Sequence, residues 1–237
     1  MRRPAVAPTL VLIAAMAANP AAAQQVSTLD YDALPPLAPH RLSFDTLPAK
    51  RYPGYSFDHG IAFDGGRLGE RLKGQTLRTR IPHGRGPHDV LTGAPDLPLA
   101  IVSARPGEGV SLSLHSAFGS MALYPLGPLK QPHPEARGEG AIAVVFAQDQ
   151  CAFGFKVHTE YTSALGQNAG HRGDVTLTLY TRDGAVLARL ALTPPEGISG
   201  HGVFDPAARI AAATVENADP GGVSFDDMLF GCPAVTG

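Results

Sequence analysis

Apolar residues in this chain recur at every second position, and the runs that contain them are closed off by glycine or proline. Residues 151–158 place Phe153, Phe155 and Val157 on one side, and residues 174–181 do the same with Val175, Leu177 and Leu179. Period two is the signature of a half-buried strand, whereas a helix needs apolar residues every three or four positions. No long stretch carries that second period, so the sequence predicts an all-β chain with scarce helix. Further strands are expected over 99–103, 110–116, 121–124, 141–147, 202–204, 210–216 and 223–230. Residues 207–213 also fit a turn of helix. Asp183-Gly184 predicts a hairpin joining 174–181 to 185–192, and Asp64-Gly65-Gly66 predicts one joining 55–63 to 67–72. Residues 73–98 and 125–139 are rich in Pro and Gly and read as long loops. The two ends match. Phe44-Asp45-Thr46-Leu47-Pro48 and Ser224-Phe225-Asp226-Asp227-Met228-Leu229-Phe230 are both short apolar segments carrying acids. They predict one sandwich whose first and last strands lie side by side.

Composition narrows the function classes. Glycine (27) and proline (22) are abundant, yet 44% of residues are hydrophobic, which is enough for a core between many turns. A formal charge of −2 with 17% charged residues is no nucleic-acid footprint, which needs a clustered excess of Lys and Arg. Tryptophan is absent, so stacking on sugar faces falls to tyrosine.

Residues 1–23 have the pattern of an export signal: Arg2 and Arg3, an apolar stretch over 10–18, and Ala21-Ala22-Ala23 as the cleavage site before Gln24. The alternative, a retained membrane anchor, needs roughly 20 apolar residues, and this stretch is shorter. No membrane span is expected after cleavage, and the location implied is secreted or periplasmic. Residues 24–40, with Leu34-Pro35-Pro36-Leu37-Ala38-Pro39, read as an extended Pro-rich leader, with regular structure beginning at Arg41. Residues 233–237 form a tail. Two cysteines, Cys151 and Cys232, in an exported chain predict a disulfide. Closing so long a loop is worth ~4 kcal/mol by loop entropy. A zinc pair is the alternative, but no histidine stands at ligand spacing.

Several motifs, in order, resemble a group of exported bacterial β-sandwich domains. Phe44-Asp45-Thr46-Leu47-Pro48, Tyr52-Pro53-Gly54-Tyr55-Ser56-Phe57 and Pro87-His88-Asp89-Val90-Leu91 resemble its opening. Ala152-Phe153-Gly154-Phe155, Thr176-Leu177-Thr178-Leu179-Tyr180 and Phe225-Asp226-Asp227-Met228-Leu229-Phe230 resemble its second half. Asp89 stands where that group usually has Asn, and residues 103–140 are longer and more irregular than its pattern. The group is similar to the galactose-binding-like jelly roll of many carbohydrate-binding modules, and the resemblance spans most of 41–231. It implies a single jelly-roll β-sandwich over 41–232 and, by analogy, a binding role.

Candidate sites follow. Strict alternation puts Asp226 on one face with Met228 and Phe230, which are apolar, so Asp226 is expected to look inward. A buried carboxylate needs a partner, and calcium, which takes six to eight oxygens, is the natural one outside the cytosol. The resemblance extends a structural calcium to Asp45 and Asp226, with Asp227 a weaker third ligand; the alternative is turn capping or pairing with arginine. His83, His88 and Asp89 cluster in seven residues and can ligate a metal or move protons, or belong to a solvated loop. His158 and Glu160 are a similar pair. Loops 73–98, 125–139 and 159–173 are the expected contact surface, and Tyr52, Tyr55, Tyr124 and Tyr161 the expected ligand contacts. No Gly-x-Ser-x-Gly elbow occurs. Asp58, Asp64, Glu70, Glu108 and Glu160 offer pairs for a glycosidase. The first reading is therefore a non-catalytic exported domain that binds a glycan or an envelope or matrix component. A polysaccharide hydrolase and a purely structural protein are the alternatives.

Overall fold

A computed structural model describes residues 25–82, 86–159, 170, 172–219 and 221–233. The expected signal peptide, His83, Glu160, Tyr161 and all but the first residue of the tail lie outside the described residues. Sixteen strands follow in chain order: β1 (Ser27–Asp30), β2 (His40–Leu42), β3 (Tyr55–Phe57), β4 (Ile61–Phe63), β5 (Gly66–Gly69), β6 (Thr76–Arg80), β7 (His88–Thr92) and β8 (Val110–His115), then β9 (Ser120–Pro125), β10 (Ile142–Gln150), β11 (Ala152–Thr159), β12 (Val175–Tyr180), β13 (Val186–Leu192), β14 (Gly197–Phe204), β15 (Ile210–Asn217) and β16 (Val223–Gly231). The described helix amounts to two short 3-10 turns, Tyr31–Ala33 and Pro134–Ala136.

The protein is an all-β sandwich of the jelly-roll type. The front sheet runs β1-β14-β11-β16-β9-β8-β3, with β2 also pairing with β16; the back sheet runs β13-β12-β15-β10-β5-β4. All pairings are antiparallel. From β9 onward the chain crosses between the sheets at each step except the β12–β13 hairpin, and each strand sends alternate side chains into the space between them. Phe153, Phe155, Val157, Val175, Leu177 and Leu179 fill that core with Phe44, Phe146, Phe225 and Phe230. Phenylalanine rings meet edge to face across it, Phe146 on Phe153 and Phe155 on Phe225, at 5.5 and 5.4 Å. Each buried ring contributes roughly 2 kcal/mol through area removed from water.

The chain ends meet as expected, by a slightly different route. Phe44 and Phe230 belong to one core, and Met228–Phe230 pair with His40–Leu42. Residues 43–48, however, form turns rather than the opening strand. The hairpin through Asp183-Gly184 is present as β12–β13. The hairpin through Asp64-Gly65 joins β4 to β5, while Tyr55–Phe57 pairs separately with β8. Of residues 207–213, the last four enter β15 and the first three lie in the turn before it, so no helix forms. Residues 99–103 contribute one bridge, Leu72 to Ile101, instead of a strand.

Two segments read as irregular are structured. Residues 73–98 hold the β6–β7 ribbon, and their flanks, with Leu72, Leu99 and Ile101, cover Ala143, Tyr180, Ala211 and Ala212 on the outside of the back sheet. The supposed leader is part of the domain. Ser27–Asp30 adds β1 to the edge of β14, and Leu34 and Ala38 are buried against Ala152 and Leu229 on the outside of the front sheet. Three glycines make room for this strap. A methyl at Gly200 would stand 2.3 Å from Cβ of Tyr31, and methyls at Gly154 and Gly202 would stand 2.2 and 2.8 Å from Cδ1 of Leu34. Proline sets the local path, but burial decides the placement, which is why composition alone misread it. Among the described residues regular structure thus begins at Ser27, not Arg41. Cys151 and Cys232, 81 positions apart, form the expected disulfide, tying the end of β16 to the β10–β11 turn.

Candidate functional site

The strap covers only part of the outer front sheet. Alternation along β8 sends Val110 and Leu112 to the core and leaves Ser111, Ser113 and His115 outside. On β9 Met121 and Leu123 go in, leaving Ala122 and Tyr124 out; on β11 and β16 the outward residues include His158 and Ser224, which pair in register. The loop before β3 brings Arg51 and Tyr52 to this face, and Arg137 follows the second 3-10 turn, bridged to Leu126. Two hollows result. One, of about 450 Å³, is lined by Arg51, Tyr52, His115 and His158; the other, of about 530 Å³, by Pro87, Glu135, Glu139, Gly222 and Ser224. Tyr124 and Arg137 line both and form the shared wall. The Arg137 guanidinium lies 3.9 Å from the ring centre of Tyr124 and 5.2 Å from that of Tyr52.

The electrostatics here are unusual for a surface. Burial, then His158 and Arg137, push the His115 imidazole down to about 4, so it is neutral. Its Nδ1 accepts from the backbone N–H groups of Ala117 and Phe118 at 3.1 and 3.2 Å, which leaves the proton on Nε2. Burial, then Asp219, push Glu139 up to about 8, so this carboxyl is protonated at neutral pH and can donate. Ser224 Oγ and Arg137 Nε are buried without a hydrogen-bond partner among the described residues.

A third hollow, of about 430 Å³, lies apart, between the β6–β7 ribbon and residues 105–130. Asp89, Glu108, Arg71, Arg105 and Lys130 line it. Burial, then Glu108, push Asp89 up to about 6, while Thr79 donates to it. Glu108 is held by Lys130 at 2.7 Å and Arg105 at 4.0 Å.

The expected residues distribute as follows. Tyr52 and Tyr124 come together. Tyr55 packs beside the core, its partner Leu112 facing inward, and its hydroxyl reaches Pro48 O at 3.3 Å, away from the groove. His88 and Asp89 are buried, consecutive residues of a strand rather than parts of a solvated loop. Of the carboxylates considered for hydrolysis, Glu108 shares a hollow with another acid. Asp58 caps the backbone of Gly107 and Gly109, and Glu70 is buried against Arg71.

Asp226 does not look inward. Between Gly154 and Lys156 the β11–β16 register slips by one residue, and Asp227 takes φ +50°. This bulge breaks strict alternation: Val223, Phe225, Met228 and Phe230 all enter the core, while Asp226 pairs with Lys156 on the outer face. Asp226 still meets Asp45 near the start of β9. Ser120 Oγ donates to Asp226 Oδ2 at 2.6 Å, and Met121 N–H donates to Asp45 Oδ1 at 2.9 Å. Burial raises Asp226, with Asp227 and Asp45 adding to the effect. Asp227 turns away to Arg41 and to Lys156, the latter at 2.8 Å. Among the described residues no group of three or more His, Cys, Asp or Glu is arranged to hold a metal.

Arg137, Glu139, Arg51, His115 and Ser224 were not singled out from sequence. His115 sat in a visible alternation, whereas Arg137 and Glu139 follow a Pro-rich loop in which nothing local marks their direction.

No protein-family profile matches the chain, and no curated protein matches it. Solved structures give remote likenesses. The CBM22-1 xylan-binding domain of Paenibacillus barcinonensis Xyn10C is 14% identical, covering 74% of this chain and 100% of that one, with a TM-score of 0.34. The CBM22-1–GH10 modules of Clostridium thermocellum xylanase 10B, complexed with xylohexaose, are 8% identical over 54% of this chain and 25% of that one, at 0.31. An Arthrobacter globiformis T6 isomalto-dextranase complexed with panose is 12% identical over 87% of this chain and 32% of that one, at 0.30. Likeness this distant assigns no site. Among the described residues no helix is long and apolar enough to cross a membrane.

Proposed function

We propose that this is an exported, non-catalytic domain that binds a glycan of the cell envelope or surrounding matrix in the groove walled by Tyr124 and Arg137. The observation that carries this reading is the grouping of Tyr52 and Tyr124 about one guanidinium on the sheet face that the strap leaves open. Tyr52, half-buried at the rim, offers a ring to a sugar, the buried Tyr124 backs the guanidinium, and the neighbouring His115 and Glu139 offer fixed donors. A glycan array tests it. Binding to a saccharide class, lost in Tyr124→Ala, is the expected result; silence across the array ends the proposal. The disulfide supports export, since such bonds persist in oxidising compartments.

A hydrolase is favoured by one observation, the Asp89 and Glu108 carboxyls in a common hollow with Asp89 raised to about 6. Release of reducing ends from polysaccharide, abolished by Asp89→Asn, supports that reading; no release removes it. A structural calcium is a separate proposal that rests on the convergence of Asp45 and Asp226. Such an ion would take an oxygen from each and draw the rest from carbonyls and water. Calorimetry on chelator-treated protein decides it: no heat at millimolar calcium ends the idea.

A further inference from the structure

We propose, resting on the glycan reading, that the groove selects saccharides bearing a carboxylate, with the Arg137 guanidinium as its receptor. Arg41, Arg71, Arg105, Arg182, Arg189 and Arg209 each pair with a carboxylate of this chain. Arg137 does not. It is half-buried, its Nη2 makes one long contact of 3.4 Å with Ser113 Oγ, and its Nε has no partner. Its other neighbours are the faces of Tyr52 and Tyr124. A cation withdrawn from water without a counter-charge destabilises a fold, and a guanidinium fork is matched to a carboxylate.

Among the described residues no carboxylate of the groove pairs with that charge. Glu139 lies on the same wall and is uncharged at neutral pH, Glu135 is exposed and forms no ion pair with Arg137, and His115 is neutral. Arg51, at the far end, adds a second cation with no ion pair among the described residues. Tyr124 itself is buried beneath the guanidinium, so a saccharide seated in the groove beside Tyr52 would carry a ring carboxylate to Arg137, which the tyrosine faces already hold in place.

Titration calorimetry on the intact folded protein tests this with oligogalacturonate and glucuronoxylan oligosaccharides, each beside its carboxyl-reduced counterpart. At least one uronate is expected to bind about tenfold or more tighter than its reduced form, with the gap narrowing as salt rises. Arg137→Gln should erase the gap and Arg137→Lys keep part of it. If Arg137→Gln loses its near-ultraviolet dichroism, Arg51→Gln, at an exposed position, should still narrow the gap severalfold. Equal binding of acidic and reduced forms overturns this inference and leaves the glycan reading standing. The same holds if neutral glycans alone bind. Absence of binding to every glycan overturns both.

Discussion

The phenol of Tyr31 donates a 2.6 Å hydrogen bond to the main-chain carbonyl of Asp227, 196 residues later in the chain. Burial first, and then the Asp227 carboxylate, push that phenol up to about 12, so it stays a donor at any physiological pH. The contact fixes the strap to the bulge of β16, and Gly200 beneath it makes the approach possible.

Replacing Gly200 with alanine should therefore lift the strap. Its new methyl would overlap Cβ of Tyr31, an atom that no rotamer change can move. A loss of about 1–3 kcal/mol is expected from overpacking, read from urea unfolding. Faster proteolysis within 25–40 should accompany it. An unchanged midpoint would mean that the strap docks elsewhere in solution.

Reduction of Cys151–Cys232 should destabilise the domain by about 4 kcal/mol, because the bridge closes a long loop in the unfolded chain. Thermal unfolding with and without reductant, or of Cys151→Ser/Cys232→Ser, measures it.

Glu139 predicts a pH dependence of stability. Its folded value, about 8, lies above its ordinary one, so between about 4.5 and 8 the folded state holds a proton that the unfolded state has released. Stability is fully present below the ordinary carboxyl range and falls as pH rises through about 8. Asp89, raised to about 6, acts in the same direction over a lower window. Glu139→Gln should match the wild type in acid and exceed it in mild alkali by an amount of the order of a few kcal/mol. Urea midpoints across that range test the sign; a wild type that gains stability toward alkali relative to Glu139→Gln contradicts it.

Tyr52→Ala should weaken saccharide binding about tenfold while leaving the unfolding midpoint near the wild type, because Tyr52 lies at the rim of the groove. The counterpart at Tyr55 should leave binding unchanged, since that ring packs beside the core. A reversed outcome would move the site to the other edge of β3.

The architecture was readable because alternation is a local property: Phe153, Phe155 and Val157 announce a strand whatever surrounds them. The disulfide and the meeting of the chain ends were readable for similar reasons of count and position. Asp226 was misdirected because a bulge is a single extra residue whose signal here, a left-handed Asp227, leaves no mark in the composition. The strap was missed because Leu34 owes its burial to Gly154 and Gly202, more than a hundred positions away. The groove was half visible. Of the three described tyrosines proposed as contacts, Tyr52 and Tyr124 line it, but the arginine and carboxyl beside them depend on the course of a Pro-rich loop.

The early strand β1 has a practical consequence for anyone preparing this domain. A shortened chain cut at residue 41, where the alternation begins, would strip β14 of its outer neighbour and bare the apolar floor formed by Ala152 and Leu229. Such a fragment would carry an open hydrogen-bonding edge beside a sticky surface, the combination that drives strand-to-strand association. Its self-assembly in the test tube would then be an artefact of the cut, not a property of the native molecule.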